Sequence, residues 1–283
     1  MADQPTRILS TRPLEAALLE QAAGRGILID TLSFIVTEPR VDEALKSRIR
    51  DLGQRSLVAV FTSMNAVEAV AASLGLQLDE PAPETRAMRD SGQEFPAAGD
   101  GKSWQIFSIG YATQQLVRRY FGERCIAGTA SSAAALADTI IAQWNNGEQE
   151  GNPGRVGDKL REVYFFCGDQ RRDELPEKLR EQAIGVNELV VYSTIRTPHR
   201  IEQVYDGIVF FSPSAVHSFF PENSIPAGTV LFAIGQTTAD TIRAYTLNQT
   251  ILSGSPEKEA LIRQVINYYN RTESGCEQDI NNP

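Results

Sequence analysis

The sequence predicts an α/β fold in which one chain holds two doubly wound parallel-sheet domains, flavodoxin-like and duplicated. Two observations carry this prediction. Short apolar runs of strand length alternate with amphipathic helical stretches, and the two halves of the chain repeat the same motifs in the same order. A chain of 283 residues with 42% hydrophobic content is long enough to bury two cores.

The clearest repeat pairs the segment VFTSMNAV at 60–67 with VFFSPSAV at 209–216. Downstream of the first copy comes SIGYAT at 108–113, and downstream of the second comes AIGQTTA at 233–239. Similar motifs at corresponding places are the sequence signature of a repeated structural unit.

A looser pair of segments precedes each of these copies. Residues 7–37 read as a strand, a helix, a glycine turn and an apolar strand, and residues 163–194 follow the same pattern with the turn at Gly185. The order of units is therefore a-b-a′-b′, and duplication of one α/β unit is the simplest account.

The strands are predicted from continuous apolar runs bounded by polar residues, which suit strands buried on both faces of a parallel sheet. These runs are Ile8-Leu9, Leu57–Phe61, Val163–Phe166 and Ile208–Phe211. Each run is expected to be followed by an N-cap signal and an amphipathic helix. Ser63 is expected to cap a helix that closes at Gly75, Asp173 leads into a helix closed by Gly185, and Ser212 before Pro213 suits an N-cap and a first turn.

Two polar stretches interrupt the pattern. Residues 77–103 are rich in proline, glycine and acidic side chains, and residues 145–158 are polar and glycine-rich. Both are predicted to be exposed loops.

A ligand site is expected at the carboxyl ends of the strands, where ligands of open α/β sheets bind. Helix N-termini there present backbone N–H groups and partial positive charge, which suit carboxylates. The candidate segments are Ser10-Thr11-Arg12, Thr62-Ser63, Tyr111-Ala112-Thr113, Ser212 with Ser214, and Gln236-Thr237-Thr238. The alternative for each hydroxyl is that it only caps a helix, and for Ser63 and Ser212 both roles can hold together.

Several classes of function are disfavoured by composition and motifs. The net charge of −9 argues against nucleic acid as a partner, because phosphate binding needs clustered Lys and Arg. The chain holds 2 His and 3 Cys without a C-x-x-C pair, which disfavours a metal site and a disulfide framework. No G-x-G-x-x-G, phosphate loop or G-x-S-x-G motif is present.

Targeting signals are also lacking. No apolar stretch reaches the roughly 20 residues that span a bilayer, so no membrane association is expected. The first residues lack the basic patch and apolar run of a signal peptide, which predicts a cytoplasmic protein. It is expected to be a monomer.

Together, the motifs resemble the uroporphyrinogen-III synthase family. The resemblance runs from about residue 7 to about residue 253 and rests on the order and spacing of individually weak motifs. They are 10–13, 61–67, 109–113, 168–175, 191–194, 211–216 and 234–239.

The resemblance implies two α/β domains joined by a two-stranded connector, with the site in the cleft between them. Residues 1–36 and 198–283 would form the first domain and residues 41–192 the second, with connectors at 37–40 and 193–197. Composition alone would place the boundary near residue 150. We follow the family, because the segments 35–40 and 190–197 look like paired extended connectors.

The resemblance also implies the chemistry. The substrate would be hydroxymethylbilane, a linear tetrapyrrole with acetate and propionate side chains. The reaction would be loss of water, inversion of the terminal ring and closure to uroporphyrinogen III, without a cofactor. A polycarboxylate can be held by backbone amides and hydroxyls, and holding the terminal ring in position is catalysis by proximity.

Site roles follow residue by residue. Tyr192 matches the family's cleft tyrosine, whose phenol could donate a hydrogen bond to the departing hydroxyl; its alternative is a packed connector aromatic. Carboxylate binding is implied for Ser63, Thr113, Ser212 and Thr238, with Thr62, Ser214 and Thr237 beside them. Arg12 is a further carboxylate ligand, and its alternative is a surface salt bridge.

Two rival functions remain open on the sequence. A non-catalytic relative would use the same fold as a ligand-binding or regulatory module. A different two-domain α/β enzyme, such as a sugar-binding or nucleotide-sugar protein, would need a phosphate-binding glycine loop, which the sequence lacks.

Overall fold

The computed structural model describes residues 5–40, 42–77, 103–149, 161–255 and 257–276. The chain divides into two compact units. Unit 1 comprises Met1–Val36 and Ile195–Pro283, and unit 2 comprises Thr37–Thr194. Unit 1 is therefore built from both ends of the chain, and unit 2 from its middle.

The strands are β1 Thr6–Ser10, β2 Ile27–Thr31, β3 Ile35–Pro39, β4 Leu57–Phe61, β5 Trp104–Ile109, β6 Ile126–Ala130, β7 Glu162–Gly168, β8 Gly185–Arg196, β9 Gly207–Phe210, β10 Val230–Ala233 and β11 Thr250–Leu252. The helices are α1 Ala16–Ala23, α2 Glu43–Gly53, α3 Met64–Ser73, α4 Tyr111–Phe121, α5 Ala133–Gln149, α6 Glu174–Glu181, α7 Pro213–Phe219, α8 Gln236–Arg243 and α9 Lys258–Cys276.

The sheet of unit 1 has the order β2-β1-β9-β10-β11, and all of its neighbouring strands are parallel. Counted within the unit, this is the order 2-1-3-4-5 of flavodoxin-like folds. In unit 2, the strands β8-β7-β4-β5-β6 form the same arrangement, again with parallel neighbours. The predicted fold class, a duplicated doubly wound α/β fold, is confirmed.

Strand β3 adds to the outer side of β8. The Arg40 N–H donates to the Val191 carbonyl at 2.9 Å, and the Thr197 N–H donates to the Phe34 carbonyl at 3.0 Å. Between residues 34 and 40 the hydrogen-bonding partner moves from residue 197 back to residue 191, so the two strands run antiparallel. The predicted two-stranded connector is formed by β3 and the end of β8.

Each sheet joins an early and a late stretch of chain. In unit 1, β1 pairs with β9, with Ile8 opposite Gly207. In unit 2, β4 pairs with β7, with Ala59 opposite Tyr164. The unit boundary therefore does not follow the duplication seam near residue 150 that composition suggests.

Both faces of each sheet are buried, which explains the continuous apolar runs. In unit 1, Leu9 and Phe210 pack against α7 and α8 on one face, while Ile8 and Val209 pack against α1 and α9 on the other. In unit 2, one face of the sheet packs against α2, α3 and α4, and the opposite face packs against α5 and α6.

The aromatic side chains of unit 2 concentrate on the face covered by α3. The ring of Phe166 stacks on Phe61 at 5.2 Å and on Trp104 at 5.6 Å between centroids. The Trp104 indole N–H donates to the Leu52 carbonyl at 3.2 Å, which satisfies its only polar atom. This stack reaches toward the carboxyl edge of the sheet, because Phe61 is the last residue of β4.

The two predicted loops have different outcomes. Helix α5 runs to Gln149, so the prediction of a loop from residue 145 is wrong at its start. The prediction relied on the polar, glycine-containing composition of this segment. The helix continues into it because the preceding apolar residues of α5 pack on the sheet and anchor the helix. The rest of 145–158 lies outside the described residues, as does most of the predicted loop 77–103.

Within the described ranges, no helix combines the length and apolar composition that crossing a bilayer requires.

Candidate functional site

The site residues named from the sequence lie at the carboxyl edge of the sheet in their own unit. In unit 2, the last residue of β4, Phe61, pairs with Ser108 and Phe166, so the ends of β4, β5 and β7 meet at one edge. In unit 1, Ser10 pairs with Val209 and Ala233 with Phe210, which aligns the ends of β1, β9 and β10. Unit 2 thus gathers Thr62, Ser63, Thr113 and Tyr192, and unit 1 gathers Arg12, Ser212, Ser214, Thr237 and Thr238.

Each unit has a topological switch point at this edge. In unit 2, β4 and β7 are neighbours, but α3 after β4 covers one face of the sheet and α6 after β7 covers the other. In unit 1, α7 after β9 and α1 after β1 diverge in the same way. Diverging loops leave a crevice outside the strand ends, which is where ligands of such sheets bind.

Two of the predicted serines cap helices. The Ser63 hydroxyl accepts from the Ala66 N–H at 3.4 Å at the start of α3, and the Ser212 hydroxyl accepts from the Ala215 N–H at 3.2 Å at the start of α7. Both residues are extended, with φ of −154° and −161°. The capping role is therefore present at both, and each hydroxyl keeps its own O–H as a donor toward a ligand.

The two predicted threonines occupy matching positions. Thr113 is the third residue of α4 after the N-cap Gly110, and Thr238 is the third residue of α8 after the N-cap Gly235. Their side chains are 6% and 3% exposed, and neither hydroxyl has a hydrogen-bond partner among the described residues. Neither hydroxyl oxygen is among the buried polar atoms left without a partner, so each is accessible although the residue is buried. An accessible hydroxyl in a first helical turn is suited to donate to an anion there.

The backbone of the same turns adds further donors. The intrahelical hydrogen bonds of α4 begin with the Gln114 N–H donating to Gly110 O at 3.1 Å, and those of α8 begin with the Ala239 N–H donating to Gly235 O at 3.0 Å. The N–H groups before them have no intrahelical acceptor, and they carry the positive end of the helix dipole. A carboxylate is the natural ligand for such an end.

The segment Ser10-Thr11-Arg12 is not a helix start, which corrects the sequence interpretation. Helix α1 begins only at Ala16. The Ser10 hydroxyl donates to the Arg12 carbonyl at 2.6 Å, and the Thr11 hydroxyl donates to the Val209 carbonyl at 2.8 Å. Both residues are buried: the Thr11 hydroxyl fastens the loop to β9, and the Ser10 hydroxyl closes the turn within the loop.

Arg12, in the same loop, provides a positively charged side chain. Its side chain is exposed, and its guanidinium carbon lies 5.4 Å from the centroid of the Phe211 ring. A guanidinium held over a ring face keeps its N–H edges available for a carboxylate.

The remaining hydroxyl candidates differ in exposure. Thr62 is half-buried directly after β4, and its hydroxyl has no partner in the described part of the chain. Ser214 is half-buried in the first turn of α7, and Thr237 is exposed in the first turn of α8.

Tyr192 lies on β8 beside the end of β7, where it pairs with Gly168. Its ring is half-buried against the aromatic cluster that contains Phe61 and Phe166. Its backbone carbonyl accepts from the Asp169 N–H at 3.2 Å. Among the described residues, none bonds to its phenol, so the hydroxyl is available at the edge where the substrate is expected.

The loop after β7 was not given any site residue from the sequence. The Asp169 carboxylate accepts from the Thr194 N–H at 2.9 Å, and Gln170 donates to the Thr194 carbonyl at 3.3 Å. Arg171 forms ion pairs with Asp173 and Glu188. The loop is thereby tied to β8 next to Tyr192, and its place at the switch point was the signal that could have drawn attention to it.

Nucleophilic and metal chemistry find no support in the described groups. Burial raises the pKa of the Cys167 thiol to about 11, so it stays protonated at neutral pH. Within the described ranges, no cluster of three or more His, Cys, Asp or Glu side chains is placed to hold a metal ion. What the arrangement offers is a set of hydrogen-bond donors for anions and two phenols in unit 2, that of Tyr192 and that of the exposed Tyr111 at the start of α4.

Known proteins of similar sequence and structure point to one family. The family model described as uroporphyrinogen-III synthase HemD matches residues 16–263. The uroporphyrinogen-III synthase of Saccharomyces cerevisiae is 25% identical over 185 residues, which cover 59% of this chain and 64% of that protein. The chain thus spans somewhat less than two thirds of the length of this curated relative.

Solved structures agree on the fold. A mutant uroporphyrinogen III synthase of Thermus thermophilus superposes with a TM-score of 0.55 at 13% identity, covering 94% of this chain and 99% of that one. The uroporphyrinogen-III synthetase of Helicobacter pylori superposes with a TM-score of 0.54 at 14% identity, covering 93% and 99%. With the family model matched along most of its length, the chain belongs to the uroporphyrinogen-III synthase family.

Proposed function

We propose that this protein is an active uroporphyrinogen-III synthase: it cyclises hydroxymethylbilane with loss of water and inversion of the terminal pyrrole ring. Membership of the family supports this reading. The observation that carries it further is Tyr192, whose phenol lies at the carboxyl edge of unit 2 without a partner among the described residues.

Substrate binding is proposed to use the helix starts of both units. Hydroxymethylbilane carries several carboxylates, and the protein as a whole is negative, with a net charge of −9. Capture must therefore depend on local donors. Thr113 and Thr238 are buried residues that each offer an unpartnered hydroxyl in a first helical turn, and Arg12 offers a cation at the edge of unit 1. Ser63 and Ser212 would assist while capping their helices.

Tyr192 is proposed to act on the leaving group. Its phenol donates a hydrogen bond, and then the proton, to the terminal hydroxyl of the substrate, which departs as water and leaves a conjugated cation on the tetrapyrrole. The terminal pyrrole held nearby attacks this cation through the α-carbon that already carries its methylene bridge. The old bridge bond then breaks, which restores that ring and leaves a second conjugated cation on the methylene. The free α-carbon of the same ring bonds to this second cation, so the ring is inverted. The proton released when that ring regains its aromatic form returns to the phenolate, so the tyrosine is unchanged after one turnover.

The reaction is proposed to need no cofactor. Loss of water changes no oxidation state, and the steps consist of proton transfer and the making and breaking of carbon bonds. A chelator such as EDTA is expected to leave the rate unchanged after prolonged dialysis. A loss of activity that is restored by a metal would contradict the proposal.

The decisive experiment measures which porphyrin isomer is formed. The purified protein is given freshly generated hydroxymethylbilane, the products are oxidised, and the isomers are separated by chromatography. Predominantly isomer III is expected, whereas a control without protein yields isomer I by spontaneous closure. Isomer I alone in the presence of the folded protein would identify a non-catalytic member of the family. The monomeric state and the cytoplasmic location stay predictions.

A further inference from the structure

The side chains of β8 change their alternation just before the catalytic candidate. Leu189 packs in the cluster that contains Phe61 and Phe166, and Val190 packs in the cluster on the opposite face. Side chains along a strand point alternately to the two faces. A regular strand would therefore place Tyr192 on the face of Val190, away from the aromatic stack.

The pairing of β8 with β7 contains an irregularity at this point. Cys167 pairs with Val190, but the next residue of β7, Gly168, pairs with Tyr192. Val191 is thus an extra residue on β8, which is a β-bulge. Val191 and Tyr192 consequently pack in the same cluster as Leu189. A single inserted residue moves the tyrosine to the aromatic face.

The ring of Tyr192, whose position depends on the bulge, lies directly against Gly168. A Cβ added at Gly168 would lie 2.5 Å from Cζ, 2.6 Å from Cε2 and 2.8 Å from the hydroxyl oxygen of Tyr192. Distances this short do not occur between real side chains, so any larger residue would displace the ring. Its backbone does not require a glycine, because Gly168 is absent from the residues with positive φ among those described. The ring of Tyr192 is the reason for glycine here.

We infer that Gly168 and the bulge at Val191 are positioning elements of this enzyme: together they hold the phenol of Tyr192 flat against the end of β7, where it meets the substrate. The inference rests on the proposed function. Neither residue touches the reacting atoms; both act through the tyrosine. Unit 1 offers the contrast, because β1 and β2 pair without a shift along their whole length.

The test compares Gly168→Ala with Gly207→Ala. Gly207 is a matched control in unit 1, since a Cβ there would lie 2.7 Å from the Tyr269 hydroxyl oxygen and 2.9 Å from Ile8 Cδ1. Both variants should lose thermal stability, by roughly 2–10 °C in Tm. Only Gly168→Ala is expected to lower kcat, by about 10²-fold with little change in KM, because misplacing a reacting group costs on that order. Equal kcat values for the two variants would overturn the inference.

A second comparison asks whether the effect passes through the phenol. In a Tyr192→Phe background, adding Gly168→Ala should lower kcat little further, because the group that the glycine positions is already gone. An undiminished further loss would overturn the inference, since Gly168 would then act by another route.

Stability supplies a readout that does not depend on turnover. In a Tyr192→Ala background, Gly168→Ala should cost little in Tm, because the ring that the new methyl group meets has been removed. This arm also serves if Gly168→Ala alone fails to fold. An equal loss of Tm with and without the ring would overturn the inference. Production of isomer I alone by the parent protein would instead overturn the proposed function, and the Tm comparison would still report on the packing of Tyr192.

Discussion

The sheets of the two units have the same strand order, but they differ at their carboxyl edges. In both, five parallel strands follow one order, a serine caps the helix after the central strand, and a buried threonine stands third in the next helix. They differ at the pair of strands beyond the switch point. In unit 2, a bulge in β8 places Tyr192 over Gly168, whereas in unit 1 β1 and β2 pair without a shift.

This difference fits the division between substrate binding and chemistry that we propose. The shared features are hydrogen-bond donors at helix starts, which suit carboxylates in either unit. The feature confined to unit 2 is a phenol, which can donate a proton. Under the proposed function, the repeated frame supplies two similar edges for carboxylates, and one additional residue in β8 places a phenol for acid catalysis at only one of them.

The largest expected effect tests that asymmetry directly. Tyr192→Phe should lower kcat by about 10²-fold or more while the protein stays folded, because general acid catalysis contributes on that order. As a control, Thr31→Val at the end of β2 in unit 1 should leave kcat near the parent value. Rates of isomer III formation at saturating substrate measure both. A Tyr192→Phe variant with the parent kcat would remove the tyrosine from the mechanism and with it the proposed asymmetry.

The next effect concerns substrate binding by the two units. Thr113→Val and Thr238→Val should each raise KM by roughly 10-fold or more, since a hydrogen bond to a charged group is worth about 1.5–3 kcal/mol. Their kcat values should change less, because the hydroxyls hold carboxylates that are remote from the leaving group.

Thr139→Val is the control for this pair. Its hydroxyl donates to the Ala135 carbonyl at 2.9 Å within α5, away from the strand ends. An increase of KM in only one of the two site variants would show that one unit dominates binding. Unchanged KM in both would contradict the carboxylate role of these threonines.

A smaller effect distinguishes the two N-cap glycines. Gly110 has a φ of 79°, whereas Gly235 has a φ of −164°. An added Cβ has no atom within 4 Å at either position, so backbone strain alone should decide the outcome. Gly110→Ala should lower the free energy of unfolding by about 1–2 kcal/mol, because a left-handed backbone disfavours a side chain. Gly235→Ala should cost less than about 1 kcal/mol. Urea denaturation measures both, and equal losses would contradict the difference in conformation.

The smallest effect tests what the units share. Ser63→Ala and Ser212→Ala should each cost about 1 kcal/mol of unfolding free energy, the usual value of a helix N-cap. The two losses should be similar, because the two caps have nearly the same dihedral angles. Denaturation midpoints at constant m-value provide the comparison. Losses that differ by more than about 1 kcal/mol would show that the repeated motif is not energetically equivalent in the two units.

The elements that the sequence predicted well depend on local signals. Ser63 and Ser212 were predicted as N-caps because an N-cap side chain bonds to an N–H only three residues away, a distance that the sequence itself sets. The failure at residues 10–12 has the opposite cause. Ser10 and Thr11 have the residue types of a helix cap, but their hydroxyls bond to the Arg12 carbonyl and to the Val209 carbonyl in a distant strand.

By itself, the sequence determined the fold class, the duplicated order of its units and the helix starts that could bind carboxylates, because periodicity, capping and motif order are properties of neighbouring residues. Only the tertiary structure decided where Tyr192 points. Gly168 and Tyr192 meet through the pairing of β7 with β8, and the shift at Val191 reverses the face that the alternation of the strand would have assigned. Strand register depends on contacts between distant segments, and a single residue of shift exchanges the two faces of a sheet.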